Sequence, residues 1–405
     1  MKLGVLTYFG VPNFGAQLQA LSTVGFLQRK GHEALVLNWY PNDLRAMYAR
    51  RVPSAQIQRH DAFTASMLPI TMPCRNEEEL VRVIDENDFD GLIHGSDALF
   101  KYEPEKTRRH FRARKLRFEV QKVSLVVEGI EGNPFWGHYV ASLKKRIPAS
   151  VYAVSSQHCP FQLLTLHEKR ALRKGLKNFA GISVRDEWTR QMVHAIMGKE
   201  YQVDINPDPV FAFNQNCGSK VPSKEDILRR FGLPDHYVLF SFWTTALKND
   251  YVTRIAEELK KHGLTSVALP MPERLIDFGL EYKVQLPLDT MDWYALIKYA
   301  DGYIGERMHP IVVAIHNAVP FFSFDEYGMT TADGFHPESS KTFLIVKDSG
   351  LLDSYYAYQS KAELPSPESV VRVLLNFDRK KCEAFATEMQ RKYEKGMDDL
   401  IDLFR

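Results

Sequence analysis

The sequence has little of what marks secreted, metal-binding or membrane-spanning proteins. Only four of its 405 residues are cysteines, Cys74, Cys159, Cys217 and Cys382. They lie far apart, without the close pairs that zinc and redox motifs use. We therefore expect reduced structural thiols and no metal site. No stretch approaches the roughly 20 apolar residues needed to cross a bilayer, so we expect a soluble protein.

An excess of charge of one sign is also missing. The formal net charge is +2 at pH 7, which is too small to indicate nucleic-acid binding, and no nucleic-acid recognition pattern is present. Met1 leads directly into an apolar, strand-like run without a charged leader. This start favours a cytoplasmic protein over a secreted one.

One local excess of positive charge runs from Lys101 to Arg117. The segment KYEPEKTRRHFRARKLR holds eight Lys or Arg against two Glu. Such a segment suits an anionic surface, either a diphosphate or the inner face of a membrane that the protein contacts peripherally. The alternative is an ordinary solvated helix face or a mobile loop.

Strand-like and helical patterns alternate almost from end to end, which is typical of α/β proteins with mostly parallel sheets. The length favours two domains of roughly 150 to 200 residues. A stretch rich in Pro, Asn, Gly and Ser, from Asn206 to Ser223, interrupts the alternation. We therefore predict an N-terminal domain, a linker, a C-terminal domain and a helical segment over 1–206, 207–223, 224–365 and 366–405.

The sharpest candidate site lies in ADGYIGERMHPIVVAIHNAVPFF, residues 300–322. A short strand ends at Gly305, and we predict Pro310 at the first position of the next helix, where its missing N–H costs nothing. His309 then lies near the N-cap, with Arg307 two residues before it. Helix N–H groups, a guanidinium and an imidazole would converge there on an anion. The alternative is that both side chains only cap neighbouring backbone.

A second arginine stands at a strand end in the other half of the chain. In GISVRDEW, Arg185 ends an apolar strand and Asp186 is placed to cap the following helix. Two arginines facing one cleft would suit a small ligand that carries both a carboxylate and a phosphate. A surface ion pair is the alternative for Arg185.

Two further loops carry candidate residues. In FGVPNFGAQLQA, Gly15 permits close backbone approach and Asn13 offers a polar side chain just before a helix. After the strand at 91–94 come Ser96 and Asp97. We predict that Asp97 accepts a proton from an attacking hydroxyl, with its pKa raised by partial burial. Capping of a turn is the alternative for Ser96 and Asp97.

Taken in order, six short motifs make the chain resemble the polysaccharide pyruvyl transferase family. They are NFGAQLQALS from Asn13, GSD at 95–97, VYAVSS at 151–156, SVRDE at 183–187, DPVF at 208–211 and RMH at 307–309. The resemblance implies two Rossmann-like domains facing a central cleft, similar to the GT-B glycosyltransferases. It matches Arg307 and His309 to the family's Arg-x-His site, Arg185 to its Ser-Val-Arg site, and Asp97 to its acidic position.

The resemblance also implies an activity. The enolpyruvyl unit of phosphoenolpyruvate, the donor substrate, would move onto two hydroxyls of a free, nucleotide-linked or lipid-linked sugar, with no further cofactor. Many relatives carry Gln-x-Trp after GSD, whereas this chain has Ala98, Leu99 and Phe100. Two alternatives stay open: a nucleotide-sugar glycosyltransferase whose Arg307 holds a diphosphate, and a non-catalytic carbohydrate-binding protein.

Overall fold

Two parallel sheets of six strands each, one in each half of the chain, form the framework of the computed structural model. The structure describes residues 1–112, 116–331, 334–360 and 362–405. The predicted α/β fold class is confirmed. All four cysteines are free thiols and are buried.

The strands of the first half are β1 (Lys2–Leu6), β2 (Glu33–Val36), β3 (Gly91–Asp97), β4 (Arg109–Arg112), β5 (Arg117–Val120), β6 (Ala149–Val154), β7 (Gly181–Val184) and β8 (Asp204–Ile205). Its helices are α1 (Phe14–Arg29), α2 (Asn42–Arg51), α3 (Ser54–Met67), α4 (Glu77–Asn87), α5 (Glu105–Arg108), α6 (Leu166–Leu176) and α7 (Glu187–Met197). The sheet runs in the order β2-β1-β3-β6-β7-β8, with Val5 of β1 opposite Val36 and Ile93.

The strands of the second half are β9 (Tyr237–Ser241), β10 (Thr265–Ala268), β11 (Tyr282–Lys283), β12 (Gly302–Gly305), β13 (Phe321–Asp325), β14 (Met329–Thr331), β15 (Gly334–His336) and β16 (Tyr355–Ala357). The helices from residue 207 onwards are α8 (Phe213–Cys217), α9 (Lys224–Phe231), α10 (Asn249–Lys261), α11 (Thr290–Lys298), α12 (Met308–His316), α13 (Lys341–Asp348), α14 (Pro367–Leu375) and α15 (Arg379–Asp402). The sheet order is β11-β10-β9-β12-β13-β16.

The central strands are apolar on consecutive residues because both faces of each sheet are covered. β6, β9 and β13 are buried along their whole lengths, as parallel strands between two helix layers must be. Two of the helices that follow strands begin at side-chain caps: Asn13 accepts a hydrogen bond from the backbone N of Ala16, and Asp186, at its predicted cap position, from that of Thr189.

The stretch 207–223 joins the two halves, and the domain boundaries drawn there stay a prediction. Although its composition suggested a loop, residues 209–212 form a helical turn and α8 follows. Val210, Phe211 and Phe213 are fully buried against both halves of the protein. The apolar residues within this segment therefore hold the halves together.

The C-terminal helices also connect the two halves. α14 packs on α10 of the second half, and α15 returns to the first half. There the ring of Tyr393 meets the rings of Phe26 and Tyr152 at centroid distances of 5.3 and 5.6 Å, and Arg29 pairs with Glu394 at 3.0 Å. The aromatic contacts bury the helix, and they hold the two sheets at one relative position.

The basic segment 101–117 does not form a helix face. α5 is short, and β4 and β5 pair as an antiparallel hairpin, with Phe111 opposite Phe118. The alternation of charged and apolar residues in RFEV is typical of a strand, and residues 113–115 lie outside the described part. Of the helices in the described ranges, none is both long and apolar enough to span a bilayer.

Candidate active site between the two sheets

A cavity of about 840 Å³ lies where carboxyl ends of strands from both sheets meet. The site lies where ligands bind in open α/β folds, at the carboxyl ends of parallel strands. Residues that line it include Tyr8, Asn13, Tyr48, Asp97, Lys101, Glu128 and His158 from the first half and Glu273, Arg307, His309, Tyr327 and Lys341 from the second. The two halves thus contribute charged groups of both signs to one space.

Arg307 occupies the N-cap position of α12 and lines this cavity. Its φ is 70°, a backbone conformation that non-glycine residues rarely adopt. Its Nη2 donates to Glu273 Oε1 at 3.1 Å, and its guanidinium carbon lies 4.6 Å from the ring centroid of Trp243. Nε has no partner among the described residues. Arg307 is thus a positioned cation whose Nε–H group can donate a hydrogen bond to a ligand.

The start of α12 differs from the prediction. The helix begins at Met308, so Pro310 is at its third position and not its first. The first N–H groups of a helix have no acceptor within it, which is why proline is tolerated there too. No side chain among the described residues caps α12, so its first N–H groups are available to an anion.

His309 is buried at the junction of the two halves. Its Nε2 makes no hydrogen bond with any described residue. Burial lowers the pKa of the imidazole to about 4, although the negative charges of Asp97 and Asp208 act in the opposite direction. His309 is therefore neutral at pH 7 in the free protein.

Asp97 ends β3 on the opposite wall, with a φ of 90°. Its Oδ1 accepts a hydrogen bond from the backbone N of Ala98 at 2.7 Å and lies 3.9 Å from Lys341 Nζ. The prediction that burial raises its pKa is wrong. Burial does favour the neutral acid, but Lys341, the His309 ring and Arg185 together outweigh it and hold the pKa below its usual value. Asp97 is an ionised carboxylate.

Arg185 does not line the cavity. Its buried guanidinium donates from Nη1 to Asp208 Oδ2 at 2.6 Å, while Nε and Nη2 have no partner among the described residues. The expectation that the guanidinium groups of Arg185 and Arg307 both face one ligand is not met in this structure. The alternative of a surface ion pair is also wrong, because the pair with Asp208 is buried. Arg185 instead acts through its charge on Asp97 and Lys341.

A model of the polysaccharide pyruvyl transferase family matches residues 13–326. The chain belongs to the polysaccharide pyruvyl transferase family. The matched range begins at Asn13 and includes Asp97, Arg185, Arg307 and His309. A search of curated protein sequences returns no match.

Solved structures share the architecture of this family member. UDP-N-acetylglucosamine 2-epimerase from Rickettsia bellii is 11% identical, with 99% of this chain and 95% of that chain covered and a TM-score of 0.51. UGT89C1 of Arabidopsis thaliana, complexed with UDP, is 9% identical, with coverages of 100% and 99% and a TM-score of 0.50. At such identities the likeness shows the fold alone. The prediction of two Rossmann-like domains in a GT-B-like arrangement is confirmed.

Lys341 is the residue of the pyruvyl transferase site that sequence reasoning missed. It opens α13, and its side chain is only 18% exposed. Burial lowers its pKa to about 8, as does the nearby charge of Arg185, against the attraction of Asp97 and Asp208. The local sequence SSKT shows a helix cap at Ser340, but nothing in it indicates that the following lysine reaches Asp97.

Two of the predicted binding residues have different surroundings. Asn13 caps α1 and lines the cavity. Ser96 is buried and does not line it. Its hydroxyl donates to the backbone O of Ala153 at 2.8 Å, and Gln19 Nε2 lies 3.5 Å from it. Ser96 thus stabilises the pairing of β3 with β6, behind the carboxylate of Asp97.

Gly15 lies directly against His309, across the junction of the two halves. A Cβ added at Gly15 would overlap the imidazole of His309. We therefore expect Gly15→Ala to displace His309 and to lower kcat/KM for the donor by up to about 100-fold, as small misplacements of reacting groups do. Steady-state kinetics measures this loss.

Gly10→Ala, in the same loop, is the matched control, since its Cβ would lie 3.3 Å from the Tyr40 ring, a tight contact that requires a shift of only a few tenths of an ångström. Equal activity of the Gly15→Ala and Gly10→Ala variants would show that the fit between Gly15 and His309 is not needed.

Proposed function

We propose that this protein transfers the enolpyruvyl unit of phosphoenolpyruvate onto two hydroxyls of one sugar, forming a cyclic ketal and releasing phosphate. The family assignment supports pyruvyl transfer to a polysaccharide or its precursor. The observation that carries the donor assignment is the meeting of Asp97, His309, Lys341 and Arg307 in one cavity built by both halves. No cofactor is needed beyond the donor substrate.

Phosphoenolpyruvate carries its carboxylate and its phosphate on the same carbon, and the cavity offers a matching set of hydrogen-bond donors. Arg307 has an unpaired Nε, Lys341 supplies an ammonium group, and the uncapped start of α12 supplies backbone N–H groups. Planar guanidinium groups bind carboxylate and phosphate through paired hydrogen bonds. A helix N-terminus favours the same negative charge.

The reaction moves two protons. Each sugar hydroxyl loses one as it forms a bond to the central carbon of the donor. One proton ends on the methylene carbon, which becomes a methyl group, and the other ends on the phosphate as its bond to that carbon breaks. The site therefore needs a base, an acid and fixed positive charge on the departing phosphate.

Asp97 is suited to act as the base because it is ionised. For His309 we propose the role of acid, towards the methylene carbon or the departing phosphate. Its pKa of about 4 means that it takes up its proton only with the donor bound. The negative charges of the donor, placed beside the imidazole, raise that pKa. Arg185 acts as a positioning residue that keeps Asp97 charged.

The test is to incubate the protein with phosphoenolpyruvate and a panel of sugar acceptors, measuring phosphate release and product masses. We expect phosphate release that depends on the acceptor, and a product with the mass of a pyruvate ketal. Transfer from a nucleotide sugar in place of phosphoenolpyruvate would overturn the proposal in favour of a glycosyltransferase. Tight sugar binding with no turnover of any donor would favour a carbohydrate-binding protein.

The pKa of Lys341 predicts the alkaline limit of the reaction. Since burial and Arg185 lower this pKa to about 8, the ammonium is charged below that pH and neutral above it. We expect kcat/KM for phosphoenolpyruvate to fall as pH rises through about 8, because the anion loses its partner. In Lys341→Gln, kcat/KM should be low at every pH and this decline should be absent.

Lys347→Gln is the control, since Lys347 is an exposed residue of the same helix, and it should keep the profile of the unchanged protein. An identical alkaline decline in Lys341→Gln would assign the decline to another group.

A further inference from the structure

The hairpin of β4 and β5 has one apolar face that the rest of the protein leaves exposed. Its register pairs Arg109 with Val120 and Phe111 with Phe118, and alternation places these four side chains on the same face. Phe111, Phe118 and Val120 are 55%, 66% and 42% exposed. The two phenylalanine rings contact each other at a centroid distance of 5.2 Å.

This exposure is costly for a free surface. Two-stranded hairpins are marginally stable in water by themselves, and adjacent exposed aromatic side chains on a soluble surface usually mark an interaction site. Next to the face, Leu116 is 83% exposed. The hairpin therefore presents an apolar wedge that is suited to a partner with an apolar interior.

The charge around the wedge indicates what that partner is. Residues 106–122 hold eight Lys or Arg, at 106, 108, 109, 112, 114, 115, 117 and 122, against the single Glu119. Arg112 and Arg117, on the opposite face, both pair with that carboxylate. Arg109, beside the phenylalanines, has no acidic partner among the described residues. The partner surface that fits this hairpin therefore has a negatively charged outer layer and an apolar interior beneath it.

We propose that the β4–β5 hairpin docks this protein onto an anionic lipid bilayer, with Phe111 and Phe118 entering the headgroup region and the basic side chains bound to acidic lipids. A second copy of the chain fits less well, because apolar faces that met each other would bring two basic hairpins together. Both ends of the segment that carries the hairpin, Lys101 and Ser124, line the cavity. The hairpin is therefore connected at both of its ends to the wall of the cavity.

The proposal is tested by sedimenting the full-length protein with vesicles, without donor or acceptor, so that its outcome is independent of the reaction in the cavity. We expect binding to vesicles of equal parts phosphatidylcholine and phosphatidylglycerol, little binding to phosphatidylcholine alone, and weakening by salt. The double variant Phe111→Ser/Phe118→Ser should bind more weakly by on the order of tenfold or more.

The control is Met72→Ser/Leu352→Ser, since these side chains are 75% and 44% exposed elsewhere on the surface. It should bind as the unchanged protein does, and thermal melting checks that both variants are folded. No sedimentation with the anionic vesicles, or equal sedimentation of the two double variants, would overturn the proposal. So would a dimer that the phenylalanine changes abolish, since the face would then serve self-association.

Discussion

Replacing Asp97 by Asn should lower kcat of pyruvyl transfer by about 1,000-fold, within the range that positioned acid and base groups contribute. The amide has the shape of the carboxylate but cannot accept the proton of the attacking hydroxyl. Its loss also leaves Lys341 without an anion 3.9 Å away, so the pKa of that ammonium should fall further below about 8. The alkaline decline in kcat/KM should then move to lower pH. Phosphate release as a function of pH measures both effects.

Asp186→Asn is the matched control for this change. Asp186 is also a buried carboxylate of the first half, but its Oδ1 accepts a hydrogen bond from Thr189 as the cap of α7. Asparagine caps helices about as well as aspartate, so activity should stay within a few-fold of the unchanged protein. If the Asp97 and Asp186 variants lost activity equally, general disturbance of buried charge would explain the loss, and Asp97 would not be the base.

Replacing Arg307 by Lys should lower kcat/KM for phosphoenolpyruvate by about 100- to 1,000-fold, comparable with the removal of one positioned donor from an anion site. Lysine keeps the positive charge. It cannot reproduce the planar guanidinium group, whose Nη2 donates to Glu273 while Nε has no partner among the described residues. Initial rates over a range of donor concentrations measure the change.

Arg274→Lys provides the comparison, because Arg274 lies over the same Trp243 ring at 5.2 Å and does not line the cavity. We expect that variant to retain nearly full activity. Activity near that of the unchanged protein in Arg307→Lys would rule out the paired hydrogen bonds as the source of donor binding, leaving a role for charge alone.

The site depends on both halves of the protein at once. Asp97 is held ionised chiefly by Lys341 of the second half, while burial and the charge of Arg185 of the first half lower the pKa of Lys341 to about 8. The buried segment after residue 207 and the return of α15 keep the halves together, so the fold connections also set the chemistry.

Much of the fold follows from short-range patterns, and so does part of the site. The alternation of apolar runs and helical periods predicts the two α/β halves, and the cap at Asp186 is where the sequence places it. Propensity, capping and periodicity depend on residues a few positions apart. The motifs around Asp97, Arg185, Arg307 and His309 also identify the family from the sequence.

Only the tertiary structure decided the charges of the site residues and which side chains line the cavity or stay exposed. It lowered the pKa of Asp97 where burial alone predicted the reverse, and it placed Arg185 behind the cavity wall. It also brought Lys341 to the carboxylate and left the face around Phe111 uncovered. These outcomes depend on charges and surfaces that are distant in the chain and become neighbours only when the sheets pack, so no local pattern carries them.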